Sequence, residues 1–557
     1  MRPRLLLLRR PAKRPAQALR TFIQSSVVLY SPRSRPQLPF LSVSSGARNP
    51  QRVRFMTTER KERLKYEIKL GIKYTSYIWI ALGVLFIGSV AVSQEMLERE
   101  YPTPHEWSFL TRQRFRGGHC ERDQTDPRRM TSWNRVMIWM KSTIERLENP
   151  EIDGDGLKDA PHDRPPGTKD ISSKPESWRR GYYEAMMLLA KAAEHMDGWV
   201  VDKSRKMIFP PGMMVGPSNP RPKPLPLGVK GPRPKEEDCE LAYETADDIY
   251  LRLIAMEGLT SRQRMDARLA YASWLEFKGA TGPAGIIYQD ALESALSQRP
   301  SLPAEPVDKK TWTLNDAAGP PSDNLITSLT AFAAFKARSG DISSALPIFV
   351  SILKARRNLP KPDTSLTESL SGISPDGSIN IKLIKQIANI FKPPPYPAPP
   401  PDGANPPVRD AKEMCEEAAL SLHIGEIMYA SQPATREEGL GWTREAVDIA
   451  EEQLHKLGKL RKDRPARTTC RECMASGLDN WATMVAGLAK EEAAKKEAAK
   501  VQPKKSGWFG LWGEGEEEDL TRWVAEQKVI EERRRRSQDL IEELKPPANG
   551  LASLFTA

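Results

Sequence analysis

Apolar positions along the chain follow two different rules. Residues 74–93 (YTSYIWIALGVLFIGSVAVS) run without a single charge, bracketed by Lys73 and Glu95. Twenty such residues are about the length a helix needs to cross a ~30 Å hydrocarbon layer. Tyr74, Tyr77 and Trp79 cluster at one end, where amphipathic rings favour a membrane interface. Downstream, apolar residues recur three and four apart over 131–147, 178–197, 238–257, 262–277, 284–298, 324–338, 342–357, 380–391, 410–430, 440–457, 468–498 and 518–544. That spacing predicts amphipathic helices. No run alternates with period two between turn residues, so the predicted fold class is all-α. Three Pro- and Gly-dense stretches, 150–176, 209–236 and 392–408, read as linkers, the last polyproline-like.

Some helices pair in a recurrent frame. In a 34-residue window from Met265, Ala272, Leu275, Gly279, Ala284, Tyr288, Ala291 and Leu292 fall at positions 8, 11, 15, 20, 24, 27 and 28. A window from Ile326 places Ala333, Gly340, Ala345 and Phe349 in the same frame, and a third supplies Gly425, Gly441 and Ala446, with an insertion containing Pro433. Small residues at 8 and 20 let two helices cross closely. A larger residue at 24 fills the groove toward the next pair, and Gly at 15 ends the first helix in a left-handed cap. This pattern resembles the tetratricopeptide repeat family and implies a solenoid of helical hairpins. Arg268 and Leu329 stand where that family has Trp, and Gly279 and Gly340 are 61 residues apart rather than 34.

Charge changes the picture at the N-terminus. The net charge of +12 suggests a polyanion partner until its location is noted. Residues 1–58 hold twelve Arg or Lys and no acid; removing those twelve leaves 72 basic against 72 acidic residues. No nucleic-acid face follows. An Arg- and Ser-rich, acid-free leader has the composition of a mitochondrial transit peptide. Residues 59–73 carry six Lys or Arg against three Glu, whereas Glu95, Glu98, Arg99 and Glu100 follow the span. Positive flanks stay on the side the potential does not pull them from, which predicts the matrix for residues 59–73 and the intermembrane space for the C-terminal part.

Chemical motifs are sparse. Among five cysteines, Cys470 and Cys473 form a CxxC, a candidate redox pair or half a zinc site, with two packed thiols as the alternative. The six His include no HExxH, and no Walker loop, GxSxG or dinucleotide-binding GxGxxG occurs. Neither catalytic residue, metal, cofactor nor small-molecule substrate is expected.

The combined architecture comprises a leader (1–58), a basic segment (59–73), a span (74–93), a juxtamembrane helical segment and linker (94–177), helical repeats (178–498), and an aromatic linker with a capping helix (499–557). It resembles the fungal adaptor subunit of the mitochondrial i-AAA protease supercomplex. The resemblance implies a non-enzymatic adaptor in the inner membrane, partnered by the i-AAA protease. It also implies clients that are unfolded or misassembled inner-membrane and intermembrane-space proteins. Two other readings stand beside it: an assembly factor for a respiratory-chain complex, and a thiol-redox or metal-binding protein using Cys470 and Cys473.

Overall fold

The computed structural model describes residues 58–123, 131–161, 163–225, 231–298, 305–361, 396–457, 464–501 and 516–543. The leader, the helix expected at 380–391 and the aromatic segment 507–513 lie outside these residues. The described chain is mostly helical with little sheet. It divides after Gly88 into two units.

The N-terminal unit contributes most of helix α1 (Thr58–Glu100), the one described helix long and apolar enough to cross a membrane. At 1.5 Å per residue its 43 residues extend about 65 Å, more than twice a hydrocarbon core. Its apolar residues from Tyr74 to Val92 are exposed, which a water-soluble fold would not leave uncovered.

The second unit contains α2 (Phe109–Arg122), α3 (Trp133–Glu148), α4 (Glu176–His195), α5 (Ala246–Ala255), α6 (Ser261–Phe277) and α7 (Thr281–Ser297). It continues with α8 (Asp323–Arg338), α9 (Ile342–Arg357), α10 (Ala411–Ser431), α11 (Arg436–Leu457), α12 (Arg464–Val501) and α13 (Glu516–Glu543). From α2 onward each helix packs on the next, and α4 on α6, α6 on α8 and α10 on α12 also meet. Helix starts carry their own acceptors. Thr260 and Gln263 form a reciprocal capping box on α6, and Thr245, Ser322, Asp341 and Asp410 cap α5, α8, α9 and α10. Burial follows chain order in three main clusters, one from Trp107 to Trp274, one from Ala272 to Ile427 and one from Cys415 to Ile530.

Two segments read as linkers are folded. Residues 150–176 contain a hairpin of β1 (Lys158–Asp159) and β2 (Lys169–Asp170), and Ile171 after it is fully buried. Around 209–236, β3 (Val200–Asp202) pairs antiparallel with β4 (Met207–Phe209) and with β5 (Cys239–Leu241), in the order β4-β3-β5. Strands of two or three residues are too short to show alternation. The helix expected from 238 consequently starts at Ala246, and α2 had no predicted counterpart.

At the start of the second unit, Glu98 is buried at 3% exposure in a net of donors. Arg112 and Arg116 each approach it at 2.9 Å, and Thr103 donates its N–H (3.2 Å) and Oγ1–H (2.9 Å). Farther on, buried Arg356 pairs with Glu413 across α9 and α10. Arg444 and Arg533 lie over the Trp481 ring, whose Nε1 donates to Glu526 at 2.8 Å, tying α13 to α11 and α12.

The repeat-frame residues occupy helix contacts or the turns of the hairpins, with one exception. Ala272, Ala284, Tyr288 and Ala291 are buried between α6 and α7, with Leu275 half-buried. Ala333, Ala345 and Phe349 are buried between α8 and α9. Gly279 (φ +78°) and Gly340 (φ +91°) make the left-handed turns that close those hairpins. The exception is Gly441, a residue of the helix expected at 440–457, which sits exposed inside α11; the expected insertion containing Pro433 is a 3-10 turn, Pro433–Thr435, between α10 and α11. The close crossing is made by Gly425 and Gly439 instead: a methyl on Gly425 would stand 2.8 Å from the Gly439 carbonyl oxygen. Opposite outcomes follow. Gly425→Ala should destabilise by about 1–3 kcal/mol, since neither backbone can yield. Gly441→Ala, with nothing within 4 Å of the added methyl, should stabilise by about 1 kcal/mol. Thermal melts of the two variants check both signs.

Candidate polypeptide-binding groove

Helices α4 and α6 each carry a second stripe besides the one facing the core. On α4 it runs through Tyr183, Met187 and Lys191 at four-residue steps; on α6 through Asp266, Ala270, Trp274 and Phe277. Residues three and four apart share a helix face, so the stripes line one cleft. With His119 and Arg122 of α2 closing one side, the cleft holds about 770 Å³. Phe277 is 81% exposed and stacks on Trp274 at 5.7 Å between ring centroids. The Trp274 Nε1 is buried without an acceptor among the described residues.

Polar groups border this apolar floor. Tyr250 and Lys191 both donate to Glu194 at 2.6 Å, and His195 stacks on Trp133 at 3.9 Å. Desolvation by the walls pushes the Glu184 and Asp266 carboxyls up, with Arg180 and Arg262, respectively, pulling them back. Desolvation also lowers His119 to about 4, so its imidazole is neutral at physiological pH. The groove offers apolar contact, an orphan indole donor and carboxyls rather than a reactive centre. None of the repeat-frame residues of the three windows lines it. The signal that could have found it is the second periodic stripe, which a search for packing positions passes over.

The third Pro-rich stretch forms the edge of this region. From Tyr396 to Asp410 it is extended and crosses the first turns of α4, α6 and α8. Arg180 donates to the carbonyls of Pro397 (2.6 Å) and Ala398 (2.9 Å) and lies over the Tyr396 ring at 4.3 Å. Asp402 accepts the Arg262 N–H of α6 at 3.1 Å. The carbonyls of Gly403 and Asn405 accept the Asn324 and Asp323 N–H groups of α8 at 3.0 and 3.1 Å. The strap thus satisfies helix-start donors that would otherwise be orphaned.

The CxxC does not form a redox pair. Cys470 is bonded to Cys415, their Cα atoms 5.0 Å apart across α10 and α12. Cys473 is a buried free thiol, pushed up to about 12 mainly by desolvation, which keeps it protonated and a poor nucleophile. The i,i+3 spacing suggested a pair; helix packing brings a residue from 55 positions away closer to bonding geometry. Among the described residues no group of His, Cys, Asp or Glu could hold a metal ion.

No protein-family model matches this chain, and no curated protein or solved structure does either.

Proposed function

We propose that this chain is a membrane-tethered adaptor that captures unfolded polypeptide segments in the α4–α6 groove and delivers them to an AAA protease of the mitochondrial inner membrane. The groove carries the reading: an open cleft of about 770 Å³ with an exposed Phe277, in a protein with an apolar anchor helix. Sequential helix pairs with alanines at the crossings and glycine turns at Gly279 and Gly340 support a tetratricopeptide-like stack, whose helical faces suit helices or extended peptides. Tethering raises local concentration near membrane clients, so weak contacts suffice. The disulfide supports placing this unit on an oxidising side, the intermembrane space, with the basic flank of α1 in the matrix.

Two measurements test this. Phe277→Asp places a charge in the groove at a side chain that is 81% exposed and touches the core only through its stack on Trp274. Full-length chain in detergent micelles should then bind a permanently unfolded model polypeptide about ten-fold more weakly, with an unchanged melting temperature. Equal binding would remove the groove from client capture. Purification from solubilised inner membrane should retain an AAA protease in stoichiometric amount; retention of a single respiratory-complex subunit in its place would favour a dedicated assembly factor.

A further inference from the structure

The strap is held in a way that differs from an ordinary loop. Arg180 is 6% exposed, and three of its nitrogens engage the strap: Nε toward the Tyr396 hydroxyl at 3.3 Å, and the two terminal nitrogens toward successive backbone carbonyls. Two carboxylates of the same helix act on it as well: Glu176, 3.7 Å away and partly exposed, and Glu184, whose carboxyl the Arg180 charge pulls down. With the strap seated, the guanidinium donors are met by its carbonyls and hydroxyl; with the strap lifted, water would take their place. The position is therefore matched to peptide carbonyls in the geometry this strap shows.

The strap also fails to fill its seat. Pro397 to Asp402 are exposed on their outer side, and beneath them remains a cavity of about 310 Å³, far above the volume of one water molecule. His119 lines this cavity, and its Nε2 is buried without a hydrogen-bond partner among the described residues. The lining also includes Tyr101 and Pro102, and the strap, which reads Tyr396-Pro397-Ala398-Pro399, contributes Tyr396, Pro397 and Ala398. A Tyr-Pro pair from each of two segments thus lines one cavity. Proline fixes φ and gives up no N–H, so such a segment is extended before it docks and loses little entropy in doing so.

We propose that the Arg180 seat is a binding site for extended Tyr-Pro-x-Pro peptides of partner proteins, and that residues 396–399 are its resident ligand in cis. The guanidinium reads two consecutive carbonyls and the face of one aromatic ring, and the cavity behind them leaves room for a larger side chain than the strap provides. A partner peptide binds by displacing the strap. The site borders the client groove, sharing His119 and Glu184 with it, but uses Arg180 and the strap rather than Phe277, so it would hold even if Phe277 played no part in capture.

The test uses full-length chain in detergent micelles and a fluorescein-labelled synthetic peptide copying residues 396–405, followed by fluorescence anisotropy. In the unaltered chain the tethered strap competes at high effective concentration, so binding is weak. Tyr396→Ala removes the stacked ring from the competitor and should tighten peptide binding about ten-fold. Adding Arg180→Lys, which keeps the charge but loses the fork, should abolish that gain. A peptide with alanine in place of its tyrosine should bind the Tyr396→Ala chain about ten-fold more weakly, a comparison made on one and the same chain, whose unchanged melting temperature shows that it is folded. No gain on Tyr396→Ala, a gain that survives Arg180→Lys, or equal binding of the two peptides would each overturn the proposal.

Discussion

Glu98→Gln is expected to lower the stability of the second unit by about 3–5 kcal/mol, the range for removing one partner of a buried ion pair. The amide would leave Arg112 and Arg116 facing each other with only the Glu95 charge acting on Arg116, which is 3% exposed. Glu95 is the control. Its pair with Arg99 is 30–44% exposed, so Glu95→Gln should cost about 1 kcal/mol or less. Urea unfolding of both variants separates the outcomes, and coincident midpoints would refute a structural role for the buried cluster. The acid limb should follow. Burial raises the Glu98 pKa, but the hydrogen bonds from Thr103 and Arg112 and the charge of Arg116 outweigh it and hold the carboxyl below its ordinary 4.5. A carboxyl lowered by folding adds stability that is complete above its unfolded value and is lost as pH falls through the folded one. Between pH 5 and 7 the wild type should therefore show little change from this group, with the loss appearing below about pH 4.5. Glu98→Gln should flatten that limb.

Reducing the Cys415–Cys470 bond, or replacing Cys415 with Ser, should destabilise the C-terminal helices by about 4 kcal/mol, the chain-entropy value for a closed loop of 55 residues. The bond joins α10 to α12 inside the cluster that runs from Cys415 to Ile530, so the loss should concentrate there. Guanidinium unfolding with and without reductant, read by hydrogen exchange, should show protection falling in α10–α12 and little change in α3 or α4. Uniform loss, or none, would contradict that placement. Cys120→Ser, at an exposed free thiol, should leave the midpoint where it was.

The helices are legible in the sequence because each one buries a stripe, and a stripe repeats every three to four residues. Helix α8, expected at 324–338 and found at Asp323–Arg338, shows how well that period and a Ser322 cap define an element. The span is legible for a simpler reason: 20 uncharged residues have few other uses. Illegible features are those that depend on residues far apart. The partner of Cys470 is set by how α10 packs on α12, and CxxC spacing points to the wrong neighbour. The strap reads as a linker because its recognition runs through backbone carbonyls, which leave no trace in side-chain identity. The insertion at Pro433 is legible, but only backbone geometry shows that Gly439, rather than Gly441, makes the crossing with Gly425. The groove residues Met187 and Trp274 look like ordinary core residues until both faces of their helices are accounted for.

The order of the buried clusters along the chain bears on how the molecule forms. Each cluster draws mainly on helices adjacent in sequence, so most of the apolar surface can be buried without closing long loops. Assembly dominated by such local contacts is fast and can begin wherever a hairpin first becomes stable. The Arg180–Pro397 contact is the opposite case, joining residues 217 positions apart. Its closure entropy becomes affordable only once α4, α6 and α8 already stand side by side. The strap is thus a late arrival, a clasp that registers the completion of the helices it crosses.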